Sequence, residues 1–206
     1  MSTPINKSAM LDTYLAGVHA RLPQESLDAL ALASGASDEQ LGQLRQAYPL
    51  CPDTLLQLLA IYNGTYHQQY AGGKVSVYLL GSDSYEYPYY LSSVGQMLAD
   101  QQSRQRSIAE IYGHHLDQDP GIVDARIDAT IRQGQRLCFS HCMNNGGSSV
   151  LYVDFNPSAS GKVGQVVRFM HDPDNYQVIA DSFDAYLQLL IDGDYGFLAE
   201  ENFDVE

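Results

Sequence analysis

The sequence predicts an α+β domain, and three observations carry that reading. Apolar residues recur at helical spacing through residues 1–60. Period-two patterns dominate residues 137–180. One strongly amphipathic helix closes the pattern at residues 183–191. The architecture this implies is a mixed, largely antiparallel sheet flanked by helices.

The elements follow in order. Leu11, Tyr14, Leu15 and Val18 form one helical stripe, and Pro23 breaks it. Ser26 to Ala33 reads as a second short helix ended by Gly35. Ser37-Asp38-Glu39-Gln40 has capping-box form, with Leu41 and Leu44 supplying the apolar face behind it. Pro49 and Pro52 separate that helix from the next, whose stripe is Leu55, Leu58, Leu59 and Tyr62. Asn63-Gly64 stops it, because either residue accepts a left-handed backbone. Val75 to Leu80 then alternates as a strand. Ser82 to Tyr90 is rich in tyrosine, and Pro88 there suggests an edge or a loop. Residues 93–112 read as a helix with a polar middle, and Gly121 to Arg132 as a weaker one. Leu137–Met143 and Ser149–Phe155 read as strands flanking Asn144-Asn145-Gly146-Gly147, a hairpin signal. Gly164–Met170 and Tyr176–Ala180 are two more strands. In the last helix, capped by Asp181 or Ser182, Phe183, Tyr186, Leu187, Leu190 and Ile191 share a face, and Gly193 ends it.

Composition bounds the function. A chain of 206 residues, 45% apolar and 17% charged, is globular in type and long enough for one domain. Its 25 acids and 11 bases give −14, a charge that repels phosphate backbones and anionic membranes, so neither nucleic acid nor membrane is an expected partner. Ten of those acids, and no lysine or arginine, lie in residues 169–206. That stretch reads either as a solvated tail or as an electrostatic landing site for a cationic partner. No apolar run approaches the roughly 20 residues that span a bilayer. The start lacks a basic region followed by an apolar one, and the end lacks a prenylation or retention motif. Three cysteines, Cys51, Cys138 and Cys142, read as reduced thiols. A cytoplasmic location is the expectation.

A resemblance appears between residues 152 and 191. Tyr152-Val153-Asp154-Phe155-Asn156-Pro157 is followed by Gly161, Gly164-Gln165-Val166, His171-Asp172-Pro173, Ala180-Asp181-Ser182-Phe183 and Tyr186-Leu187. This resembles the SUKH superfamily, the SMI/KNR group that includes a yeast cell-wall assembly regulator. Its pattern is a strand ending in D-F-x-P, a glycine-bearing loop, G-Q-V opening the next strand, and a short strand running into an S-F-x-x-[YF]-L helix. Leu50-Cys51-Pro52, the helix behind it and Tyr62-Asn63-Gly64 are similar to an earlier motif of the family, with one extra residue between leucine and proline. The organisation expected from this is a helical N-terminal extension (residues 1–36), a SUKH domain (37–195) with a possible helical insertion at 93–134, and an acidic tail (196–206).

The residues of the motif have physical roles of their own. Asp154, Phe155, Pro157, Gly161, Gly164, Gln165, Ser182 and Phe183 read as structural. The Asp154 carboxylate is placed to accept N–H groups of the loop at Ser158–Gly161. Pro157 stops the strand, the glycines permit unusual backbone angles, and Gln165 is placed to bridge either neighbouring strands or the domain's cleft.

The resemblance implies a non-catalytic immunity protein that neutralises a toxin, such as a basic nuclease or deaminase delivered between bacteria. The alternative it implies is a regulatory scaffold unrelated to toxins. A nucleic-acid enzyme needs a basic cleft, which an acidic protein can occupy quickly through steering. Candidate contact residues are Tyr85, Tyr87 and Tyr89, which share one face of an extended segment, with Asp172, Asp174, Asp192, Asp194, Glu200 and Glu201. Metal and catalytic readings are weaker. His114-His115 with Asp117 and Asp119, and Cys138-His141-Cys142, are possible ligand groups, but the two cysteines would share one strand face with His141 on the other. No H-E-x-x-H, G-x-S-x-G or P-loop is present. No cofactor and no metal are expected. His171-Asp172 reads as part of a turn.

Overall fold

The computed structural model of the chain describes residues 9–84, 87–144 and 147–203. Four helices open the described chain: α1 (Ala9–His19), α2 (Gln24–Leu30), α3 (Asp38–Ala47) and α4 (Asp53–Ile61). A hairpin of β1 (Gln68–Tyr70) and β2 (Gly73–Val75) stands apart as its own small sheet. The main sheet runs β3 (Tyr78–Leu80), β4 (Tyr89–Leu91), β6 (Ser140–Asn144), β7 (Gly147–Asp154), β8 (Gln165–Met170) and β9 (Asn175–Ala180), with β5 (Leu137–Cys138) also paired to β7. Between β4 and β5 lie α5 (Val94–Ser103), α6 (Ile108–Tyr112) and α7 (His115–Gln118). Helix α8 (Phe183–Asp192) follows β9. Every pairing between these strands is antiparallel. The fold is α+β, as the sequence predicts.

Alternation along β7 and β8 divides the apolar residues between two faces. Leu151, Val153 and Val166 join the main core with Phe139 and with α1, α4 and α8. Val150, Tyr152 and Val167 point the other way, into a smaller core beneath Ile108 and Ile127. Helix α1 belongs to the main core: Leu11, Tyr14 and Val18 are fully buried, and the Tyr14 hydroxyl donates to the Leu79 carbonyl (2.6 Å). In the last described turns Phe197 and Leu198 are buried in that core too.

Several local expectations need correction. Val75 to Leu80 is not one strand: it breaks at Ser76-Val77 and feeds two different sheets. The helix expected over 93–112 stops at Ser103. A separate capping box, in which Ser107 Oγ and Glu110 bond each other's backbone N–H, then starts α6. Residues 121–132 form no α-helix. A 3-10 turn at Pro120–Ile122 leads into turns closed by the Asp124 and Asp128 carboxylates. The strand expected over Leu137–Met143 carries a bulge. Leu137 pairs with Val153 and Cys138 with Tyr152, whereas Cys142 pairs with Ser149, so Phe139 and Ser140 together face Leu151. The extra residue inverts the alternation beyond it. Cys138 therefore enters the smaller core and Cys142 the main one, on opposite faces rather than one. The tip of the expected hairpin, Asn145-Gly146, lies outside the described residues, but Asn144 and Gly147 pair across it.

Caps and turns hold the elements in place. The Ser37–Gln40 capping box forms as expected. Ser182 Oγ accepts the Ala185 N–H (3.1 Å) and caps α8. Substituting Ser182→Ala is expected to cost about 1 kcal/mol. It should appear as a lower urea midpoint at unchanged slope; an unaltered midpoint would show that the cap contributes nothing.

Candidate functional site

The family-like motif folds into a buried polar knot. Asp154 ends β7 and Gln165 begins β8 directly opposite it in register. Asp154 is fully buried. Its Oδ1 accepts the Asn156 N–H (3.1 Å) and its Oδ2 accepts Gln165 Nε2 (3.2 Å). The loop expected to bond this carboxylate does not reach it. The Gly161 N–H goes to the Ser158 carbonyl, and the Gly164 N–H to the backbone carbonyl of Asp154. Gln165 Nε2 also donates to the Arg126 carbonyl (3.1 Å), and Oε1 accepts the Lys162 N–H (3.1 Å). Gly164 takes φ +89°, and Gly161 lies too close to the Arg126 carbonyl to carry a Cβ. Pro157 closes in on Gly161, half-buried Phe155 stacks toward Tyr48 (5.9 Å between centroids), and Phe183 packs edge-on to Phe139.

The counter-charge of Asp154 is a residue that sequence reasoning missed. Arg136 Nε lies 3.3 Å from Asp154 Oδ1, with both side chains essentially inaccessible. Its remaining nitrogens donate to the Asp128 carbonyl (2.6 Å) and the Ile131 carbonyl (3.3 Å). Nε faces the carboxylate without hydrogen-bond alignment, so this contact is an ion pair. The only hint in the sequence is an arginine set directly before an apolar strand, where burial demands an opposite charge.

The three cysteines are buried and free, and burial pushes each thiol up to about 12. They are held as protonated thiols and are poor nucleophiles. His114 and His115 are exposed and lean on one another (4.3 Å). His171 Nδ1 lies 3.0 Å from Asp174 Oδ1, and the Tyr112 hydroxyl donates to the other oxygen. Asp172 sits exposed in the turn at φ +56°.

A cleft of about 670 Å³ opens beside the motif. Tyr48, Leu50, Phe155, Arg104 and Arg132 are among its lining residues, which include no carboxylate, thiol or imidazole. The Tyr48 hydroxyl is occupied by the Gly134 carbonyl (2.9 Å), and burial raises its pKa beyond the usual tyrosine range. The cleft can seat a side chain, but its lining supplies no acid–base pair.

The expected contact residues divide. Tyr89 is fully buried in the main core and presents nothing to a partner; Tyr87 is half-buried against that core, and Tyr85 lies outside the described residues. The reason is parity. Within β4, alternation turns Tyr89 to the inner face. Tyr90 is the outward residue of β4. Among the acids, Asp194 pairs with Arg21, and Asp181 with Lys162. Asp184, Asp192, Glu200 and Glu201 are exposed, and none of the four pairs with a cation among the described residues.

An antiparallel sheet with helices packed on its inner face, and a D-F-x-P turn locked by an internal ion pair, define a rigid α+β scaffold of the SUKH type. The chain belongs to the SMI1/KNR4 family (SUKH-1), which matches residues 35–189. That family comprises immunity proteins and regulators, is generally non-catalytic, and points to protein–protein interaction. No curated protein matches the chain as a relative.

Proposed function

We propose that the protein is an immunity module that neutralises a cationic toxin of an interbacterial competition system by binding it, without catalysis. The observation that carries this reading is the set of exposed carboxylates in and just beyond α8 that pair with no cation among the described residues. Asp184 and Asp192 stand eight residues apart on the exposed side of α8, with Glu200 and Glu201 in the turn beyond it. Exposed carboxylates without local counter-ions project their field into solvent, which accelerates encounter with a positive surface and is screened by salt. The motif supports the scaffold half of the reading. Asp154 and Gln165 spend their polar atoms on the fold itself, leaving no free carboxylate there for chemistry.

Co-expression with the product of each gene flanking its own, followed by calorimetric titration of any complex, tests this. A basic partner is expected, bound at least about tenfold more weakly at roughly 500 mM salt than at roughly 50 mM. Asp184→Asn and Asp192→Asn together should slow association more than they speed dissociation. An affinity indifferent to salt would contradict the electrostatic reading. A neutral or acidic partner without toxicity would favour the regulatory scaffold instead.

A further inference from the structure

The outer face of the sheet is treated differently along its width. Over β7, β8 and β9 it lies beneath the smaller core. Over β3, β4 and β6 it carries a row of rings. Tyr78 pairs with Tyr90, and Tyr90 with His141, so three strands place three aromatic side chains abreast on one face. Tyr78 and Tyr90 are 4.5 Å apart between centroids. Tyr66, from the loop after α4, stacks on His141 at 4.1 Å and 9° between planes, and lies 5.6 Å from Tyr90. His67 flanks Tyr90 at 5.4 Å, and Phe203 flanks Tyr78 at 6.1 Å. His67 is exposed and the other five are partly so. Met143, two residues beyond His141 and on the same side of β6, is 63% exposed.

Two features point to what covers this row. Ring faces are electronegative, and a flat guanidinium lies on an exposed ring face better than a compact ammonium does. Glu200 and Glu201, exposed and unpaired, sit in the turn that delivers Phe203 to Tyr78, so carboxylates stand at one end of the row. Burial lowers the proton affinity of both His67 and His141, with Lys74 and Arg104 respectively adding to it. Both imidazoles offer their ring faces as stacking surfaces. Nδ1 of His141 is buried without a hydrogen-bond partner among the described residues, and Tyr66 stacks on its ring.

We propose that the row Phe203–Tyr78–Tyr90–His141, with Tyr66 and His67 beside it, is the surface that grips an arginine-bearing segment of a cationic protein partner. This rests on the reading of the chain as a binder of a cationic toxin and names where the anchor contacts lie: rings supply affinity, and the acids of the last third supply steering.

The test uses the full chain, isotopically labelled in its tyrosine and histidine rings and its backbone amides. Three short peptides are titrated into it, alternating glycine with arginine, with lysine or with citrulline. The arginine peptide should shift the ring signals of Tyr66, Tyr78, Tyr90 and His141, the lysine peptide should do so more weakly, and the citrulline peptide least. Tyr90→Ala should weaken the arginine peptide about tenfold. Tyr66→Ala, in a loop outside the sheet register, should weaken it too and guards against a folding defect in the first variant. Equal binding of the citrulline peptide, or no shift in these rings, overturns the proposal. Shifts confined to the amides of Asp184–Asp192 overturn it while leaving the acidic-surface reading intact. That reading fails separately, if the complex with the toxin proves insensitive to salt.

Discussion

Asp154→Ala is expected to destabilise the protein by about 3–5 kcal/mol, because it strands the Arg136 guanidinium in the interior. The pair lies 3.3 Å apart with essentially no solvent contact on either side. Removing one charge leaves the other hydrogen-bonded to the carbonyls of Asp128 and Ile131, with the Asp128 carboxylate, which is not in salt-bridge contact with it, as a nearby anion. The loss falls on more than the ion pair. The carboxylate also holds the Asn156 N–H and Gln165 Nε2, so the turn after β7 and the start of β8 loosen together. Asp154→Asn in an Arg136→Met background should recover much of the loss, since the amide keeps an acceptor for Asn156 and no charge remains buried. Urea unfolding of Asp154→Asn, of Arg136→Met and of the two combined closes the cycle and measures the coupling directly. Strict additivity would mean that the charges do not interact in the folded state.

Gly64→Ala should cost about 2–4 kcal/mol, through backbone strain and overlap together. Gly64 adopts φ +91°, where an L side chain is strained. A Cβ there would lie 2.5 Å from the Ser93 backbone nitrogen, which cannot swing aside. Ser93 is the N-cap of α5, in a reciprocal capping box with Gln96. Asn63, next in line, accepts the Val94 N–H through its side chain (3.0 Å). The Asn63-Gly64 turn is therefore a joint between the end of α4 and the start of α5. Thermal unfolding gives the magnitude, and amide exchange at Val94–Met97 shows the place. Unchanged protection of that first turn would show that the joint does not transmit the strain.

How far the sequence could be read depends on whether the determinant is local. Helix α8 and its Ser182 cap, the Ser37 capping box and the register across Asn144 and Gly147 are set by neighbouring residues, and their patterns are plain in the chain. The break after Ser103 is equally local, for Ser107 and Glu110 form a capping box, but the polar run before them hides it. Other features depend on distant residues. The bulge at Phe139–Ser140 exists only relative to Leu151, and it moves Cys138 and Cys142 to opposite faces. The Arg136–Asp154 pair joins residues with no common local signature. For the tyrosines, alternation is the right principle, but it does not say which face is the outer one. Which side of β4 meets α1 and α8 is decided by packing, and it buries Tyr89 and turns Tyr90 outward. Tyr66 reaches His141 from a separate loop, so no window of sequence contains the row.

The dose dependence of inhibition separates a scaffold from a catalyst most directly. With a purified cognate toxin held at a fixed concentration well above the dissociation constant, its activity should fall linearly as this protein is added and vanish at a fixed stoichiometric ratio. Abolition by a small fraction of that amount, progressing with time, would mean that the protein turns over a substrate, and would contradict neutralisation by binding.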